Sequence, residues 1–243
     1  MKKIIILIVG LCLLGLNLFA DPFDDFKANF PSDKDYFKPF VKDFGGVLGA
    51  SDFNNGRALG FPGFDVGFDM AIQKKPSSND KILRDAGVDA FGIPLVHGSV
   101  GLPLVGFDVN LRGFSYSGLN IIGGGLRYNI FKSGMLSKFM PDLSAMVFYD
   151  NIRYDYFKGN HISFDLVGSW DIPIVKPFAG VGLDRTKLEV RNVSGFDGTH
   201  ETASAARYTL GVKFSPLPLV YVYGAYSIIH SESGYNFGLG MRF

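Results

Sequence analysis

The sequence predicts an all-β protein: a transmembrane, antiparallel, up-and-down β-barrel of about ten strands (within roughly 8–12), preceded by an amino-terminal helical segment. Three observations predict it. Several segments alternate strictly between apolar side chains and small or charged ones, the period of a strand with two unlike faces. Beyond the first twenty residues no apolar stretch reaches the roughly 20 residues that a spanning helix needs, and a membrane chain without such a helix must close its backbone hydrogen bonds as a barrel. The chain also ends inside an alternating segment, on an aromatic residue.

The elements follow in order. Lys2 and Lys3 precede an apolar run over 4–16, and Leu18-Phe19-Ala20 stands before Asp21. This is the charged start, apolar centre and cleavage site of a secretory leader, expected to span 1–20. The apolar run is short for an uncleaved anchor. Lipid modification at Cys12 is disfavoured because Leu11 stands where a small residue is expected. Loss of the leader removes Cys12, the single cysteine, and with it any disulfide or thiolate chemistry.

Residues 21–60 do not alternate and are expected to form a helical segment. Phe23, Phe26 and Phe30, then Tyr36, Phe37, Phe40, Val41 and Phe44, keep helical spacing. Ser32 with Asp35 reads as an N-cap and acidic first turn. Pro39 either kinks a continuous helix or sits in the first turn of a new one. Gly45, Gly46 and Gly49 make the end of this helix thin. A thin helix fits inside a small barrel, with Tyr36, Phe37, Phe40 and Phe44 as candidate plug residues. A surface-lying amphipathic helix or a loose tether is the competing reading.

Residues 61–243 form the expected barrel, with strands at 62–73, 87–98, 104–116, 119–131, 142–155, 161–172, 175–190, 203–215, 218–230 and 233–243. The alternation is cleanest around Phe64 to Ile72, Val105 to Leu111, Ile162 to Trp170, Ala206 to Phe214 and the terminal strand. Elsewhere it is disturbed. Pro94 interrupts the second strand, Gly123-Gly124-Gly125 signals a kink or a close approach from inside, 143–155 changes parity midway, and 175–190 shifts register near Arg185. With the amino end of the barrel in the periplasm, the long polar loops at 74–86 and 191–202 face outward, and short proline-bearing turns face inward. The long connection at 131–141 is an exception on the periplasmic side.

Composition supports this reading. Thirty-one glycines, 24 phenylalanines and 11 tyrosines suit bent strands and interfacial aromatic belts. A net charge of +1 favours no nucleic-acid partner. In the last strand Tyr235, Phe237, Leu239, Met241 and Phe243 share one face. This ending resembles the terminal signal that bacterial outer-membrane barrels present to their insertion machinery, so the expected location is the outer membrane. The expected partners are its lipid, that machinery and a small-molecule ligand.

A further resemblance rests on Tyr36-Phe37-Lys38-Pro39, Phe44-Gly45-Gly46, Asn54-Asn55-Gly56, Leu59-Gly60-Phe61 and Phe64-Asp65-Val66. These residues resemble an uncharacterised family of bacterial outer-membrane proteins that open with a Tyr/Pro helix, a short Asn-Gly segment and a Gly-Phe-Asp first strand. The resemblance implies a barrel and no mechanism. The layout of a helix before a barrel is also similar to long-chain fatty-acid transporters, which are much larger and whose motifs are absent here.

Candidate chemistry is sparse. His161, Ser163 and Asp165 share one strand face, and the His-x-Ser pair is similar to that of outer-membrane lipid A deacylases. The Asn-Gly that follows the Ser in those enzymes is missing, and no Glu lies within reach on the next strand. His97, His200 and His230 are scattered and show no metal-ligand spacing, and no cofactor is expected. The inward faces place Asp65, Asp69, Asp108, Arg112, Arg127, Asp165, Lys176, Asp184, Arg207, Lys213 and Arg242 as lumen-lining candidates. Both signs are present, which suggests paired charges rather than a selective ion pore. The leading functional expectation is a barrel that binds or passes a small, apolar molecule past its amino-terminal plug, with Ile121 and Phe178 as apolar inner surfaces. Alternatives are a non-transporting barrel acting through loops 74–86 and 191–202, and a lipid-modifying enzyme.

Overall fold

The computed structural model describes Phe26, Phe30 and residues 36–104, 106–134 and 140–243. The expected leader at 1–20 with Cys12, and Phe23, Ser32 and Asp35, lie outside the described residues. Helix α1 (Phe37–Gly49) is followed by β1 (Phe64–Gln73), a short helix α2 (Lys81–Asp85), β2 (Phe91–Gly101), β3 (Phe107–Tyr116), β4 (Leu119–Phe131), β5 (Asp142–Arg153), β6 (Phe157–Ser169), β7 (Val175–Val190), β8 (His200–Leu217), β9 (Val220–Ile229) and β10 (Glu232–Arg242). Each strand pairs antiparallel with its sequence neighbours. β1 also pairs with β10, with Asp65 opposite Arg242 and Phe68 opposite Leu239, so the sheet closes without a free edge.

Polarity is inverted relative to a water-soluble domain. On β8, Leu210 is 67% exposed while Arg207, three residues earlier on the other face, is 0% exposed. Val66, Leu111, Ile122 and Leu183 also point outward. Such a surface is unfavourable in water and suited to acyl chains. No helix among the described residues is long and apolar enough to cross a membrane. The strands make the crossing.

Three details differ from the sequence expectation. β2 begins at Phe91 rather than 87, because α2 and the left-handed Gly87 (φ +73°) occupy the preceding residues. Its Pro94 lies opposite Met70 of β1, but the β2–β3 ladder begins only at Val96, so the missing N–H falls where the third strand does not reach. β5 keeps one parity throughout, with Ser144, Met146, Phe148, Asp150 and Ile152 all inward. The apparent parity change arose because the lumen itself is partly apolar. β7 likewise pairs without a register shift. Near Arg185 its two faces exchange character instead. The outward face turns from Val181 and Leu183 to Arg185 and Lys187, while the inward face turns from Asp184 and Thr186 to Leu188 and Val190. At 16 and 18 residues, β7 and β8 exceed the roughly 9–11 that a crossing strand needs, so their hairpin runs on beyond the bilayer.

The lumen is filled. Helix α1 lies inside the loop end of the barrel. Pro39 sits in its first turn, where its missing N–H has no helical partner to lose, so the helix starts there without a kink. Phe37, Phe40, Val41, Phe44, Val47 and Leu48 are completely buried, packed with Phe26 and against Phe91, Ile93, Leu119, Phe157, Leu188, Val190 and Ile229 of the wall. The glycines permit this fit. A Cβ on Gly45 would lie 1.8 Å from Thr186 Oγ1, and one on Gly49 would lie 2.2 Å from Asp184 Oδ1. Residues 50–63 then descend the lumen without regular structure to meet β1.

Candidate functional site

The irregular segment carries backbone polar groups with no ladder to join, and inward side chains satisfy them. Asn236 Nδ2 donates to Ala50 O (2.7 Å), and Ser144 Oγ donates to Gly56 O (2.5 Å). Gly56 N donates to Ser169 Oγ (3.0 Å). Leu59 N donates to Asp108 Oδ2 (2.9 Å), and Ala58 N to Asn129 Oδ1 (3.1 Å). Arg127 and Arg242 donate to the carbonyl of Arg57, and Arg242 also to that of Ala58. Lys213 Nζ donates to Asn54 Oδ1 (3.0 Å) and lies over the Tyr221 ring.

At mid-height one carboxylate joins two walls. Asp52 Oδ1 meets Arg112 Nη1 at 2.5 Å, and Asp52 Oδ2 meets Arg207 Nη2 at 3.0 Å. Arg112 is on β3 and Arg207 on β8, half the circuit apart in the ten-strand barrel. Each arginine also has wall partners of its own. Arg112 forms a fork with Asp150, Nε to Oδ1 and Nη2 to Oδ2, both at 2.7 Å. Arg207 reaches Asp165 at 2.8 Å and Asp184 at 3.2 Å. Glycines on β4 and β7 make room: a Cβ on Gly123 would strike Asp150, and one on Gly182 would strike Arg207 and Asp165.

Nearer the termini, Asp69 and Asp65 flank His97. Nδ1 is 2.5 Å from Asp69 and Nε2 3.3 Å from Asp65, while the hydroxyls of Tyr223 and Tyr221 donate to the same two carboxylates. A cavity of about 30 Å³ remains between these groups and the segment, space for a water or two.

Of the lumen-lining candidates, Asp65, Asp69, Asp108, Arg112, Arg127, Asp165, Asp184, Arg207 and Lys213 are buried inside, and Arg242 is half-buried. Lys176 is half-buried. It keeps inward parity but sits at the mouth, paired at 2.6 Å with Asp171 of the β6–β7 turn, because the strand has left the lumen there. Phe37, Phe40 and Phe44 are buried, whereas Tyr36 precedes the helix, half-buried, with Lys81 Nζ 3.9 Å from its ring centroid. Tyr235, Phe237, Met241 and Phe243 are exposed on the outer face, and Leu239 is half-exposed. Sequence reasoning missed Asp52 and Asp150. Asp52 lies in a segment without periodicity, and Asp150 on a strand whose parity was misread.

His161 and Ser163 are both completely buried, and His161 Nδ1 is engaged by Thr186 Oγ1 at 2.8 Å. Ligand atoms of Asp52, His161 and Asp184 lie within 4.8 Å of one another, but Arg207 bonds both carboxylates and already supplies positive charge there. 

A second contact ties α1 to the loop end. Asp43 accepts from Ser77 N (2.7 Å) and Oγ (2.5 Å) and lies 3.0 Å from His230 Nε2. Asp80, the cap of α2, accepts from Leu83 N. Burial first, and then the adjacent Asp43 carboxylate, push the Asp80 carboxyl up to about 8. A carboxyl raised in the folded state contributes stability that is full at low pH, declines as pH climbs above its usual value near 3.8, and is gone above about 8. Loop 74–90 should therefore be cleaved faster by added protease at pH 9 than at pH 6. Asp80→Asn should remove most of that difference, and an unchanged difference would remove Asp80 from the account.

A closed antiparallel barrel with an apolar exterior and charged, filled interior is a bacterial outer-membrane β-barrel protein. The chain belongs to the family of unknown function DUF6588, whose model matches residues 80–243. No curated protein matches it. It is similar to the amino-terminal β-barrel domain of Pseudomonas aeruginosa OprF, with 13% identity, 74% of this chain and 97% of that chain covered, and a TM-score of 0.37. It is also similar to the translocator domain of the autotransporter NalP from Neisseria meningitidis, with 11% identity, 86% and 95% covered, and a TM-score of 0.40.

Proposed function

We propose that the protein is a gated barrel that binds or passes a small solute, with residues 21–60 as the plug. The Asp52 bridge is the observation that carries this reading. The plug contributes one carboxylate to two arginines that keep their own wall carboxylates, so its withdrawal leaves Arg112 paired with Asp150 and Arg207 with Asp165 and Asp184. The polar wall groups that hold the segment's backbone are groups that water can satisfy when it leaves. A permanent filler has less use for such contacts, since apolar packing serves stability at least as well as buried charge.

Planar-bilayer recordings test the proposal. The full mature chain should be almost silent, and the chain lacking residues 21–60 should conduct. Silence from both favours the second reading, a sealed barrel acting through loops 74–86 and 191–202, which is supported by the small residual cavity. The burial of His161 and Ser163 gives no support to lipid-modifying chemistry. We read the outward face of β10 as the surface presented to the insertion machinery.

A further inference from the structure

Two turns at the termini end share one sequence pattern: Ile172-Pro173-Ile174-Val175 and Leu217-Pro218-Leu219-Val220. The sequence Leu102-Pro103-Leu104-Val105 repeats the same pattern. In the first two, the residue after proline has a left-handed backbone, φ +70° at Ile174 and +75° at Leu219. Glycine is the usual occupant of that turn position, and a β-branched residue there is an outlier. The strain holds aliphatic tips in the open: Ile172, Ile174, Leu217 and Leu219 are all exposed.

Between these turns lies a cavity of about 420 Å³, within the range of small-molecule sites. Its lining joins Ile174, Leu217 and Leu219 to Lys176, Lys213 and Arg242. Lys176 is paired with Asp171, and Lys213 is 4.0 Å from Asp65. Arg242 is held by carbonyls, with no carboxylate within 4 Å among the described residues. Exposed Trp170 and Phe214 lie on the outer face just before the two turns. Such aromatics mark the membrane interface, so the cavity lies at head-group depth.

We propose that this cavity binds the phosphate of an anionic phospholipid drawn from the adjoining leaflet. Arg242 and Lys176 hold the phosphate oxygens by charge-assisted hydrogen bonds, and the acyl chains leave over Ile174, Leu217 and Leu219. Charge complementarity selects an anionic head group, and the aliphatic lip selects a lipid over a free anion. The site does not include the Asp52 bridge, and Lys176 bonds no plug residue directly, whereas Arg242 also holds the plug carbonyls of Arg57 and Ala58.

Native mass spectrometry of the full mature chain in detergent tests this, with added phosphatidylglycerol, phosphatidylcholine or inorganic phosphate. Phosphatidylglycerol should be retained in preference to phosphatidylcholine. Lys176→Gln with Arg242→Gln should lower retention about tenfold, the loss expected of a hydrogen bond to a charged group. Lys176→Gln alone leaves the plug contacts intact and should give a smaller loss in the same direction. Leu217→Ser with Leu219→Ser should weaken lipid retention, while heat-modifiable gel migration reports that each variant remains folded. Equal retention of the two lipids, equal retention by folded wild type and charge variants, or displacement by inorganic phosphate at the lipid's own concentration would overturn the proposal.

Discussion

Arg207→Ala is expected to destabilise the barrel by about 3–5 kcal/mol, the usual cost of removing one partner from a buried charge cluster. The guanidinium is completely buried and meets Asp52, Asp165 and Asp184. Without it three carboxylates share a space from which water is nearly excluded: Asp52 keeps Arg112, but Asp165 and Asp184 lose their guanidinium, with His161 Nε2 3.8 Å from Asp184. Urea unfolding in detergent micelles, followed through Trp170, the single tryptophan, measures the loss. Asp52→Asn should behave quite differently. Both arginines keep wall carboxylates and the amide can still accept a hydrogen bond, so the cost should stay near 1 kcal/mol. That asymmetry distinguishes a wall that stands by itself from a wall built around its plug. Equal losses in the two variants would show that Asp52 is integral to the barrel and would count against gating.

The fold was legible because a barrel repeats one signal. Alternation on β1, β3, β6, β8 and β10 is enough to set strand direction, face and number, and short turns leave little choice of neighbour. Errors arose where the lumen departs from the simple opposition of greasy outside and polar inside. Met146 and Phe148 point inward because the descending segment brings Phe53, and Arg112 lies 4.3 Å over the Phe148 ring, so the β5 pattern reads as a parity break. Leu188 and Val190 point inward because α1 covers them with phenylalanines, so β7 reads as a register shift. The site was less legible still. Arginines and aspartates on clean strands could be placed on the inner face, but which meets which depends on strands half a barrel apart. Asp52 has no periodicity to reveal it, and its partners are set only when the chain threads the closed lumen.

Gly45→Ala combined with Gly49→Ala should expel or displace α1, and the sign of the effect decides where the helix resides. In an exposed helix each change to alanine should stabilise by about 1 kcal/mol, because glycine is the poorer helix former. Inside the barrel the new methyl groups meet Thr186 Oγ1 and the Asp184 carboxylate. Neither can retreat freely: Thr186 holds His161 Nδ1, and Asp184 holds Arg207. Overpacking of this kind costs about 1–3 kcal/mol at each site, which exceeds the propensity gain. The strands themselves keep their ladder, so heat-modifiable migration should persist while trypsin gains access to Lys38 and Lys42. Conductance of the double variant should rise toward that of the chain lacking residues 21–60. A variant more resistant to trypsin than the parent would place α1 outside the lumen, and the plug reading would fall with it.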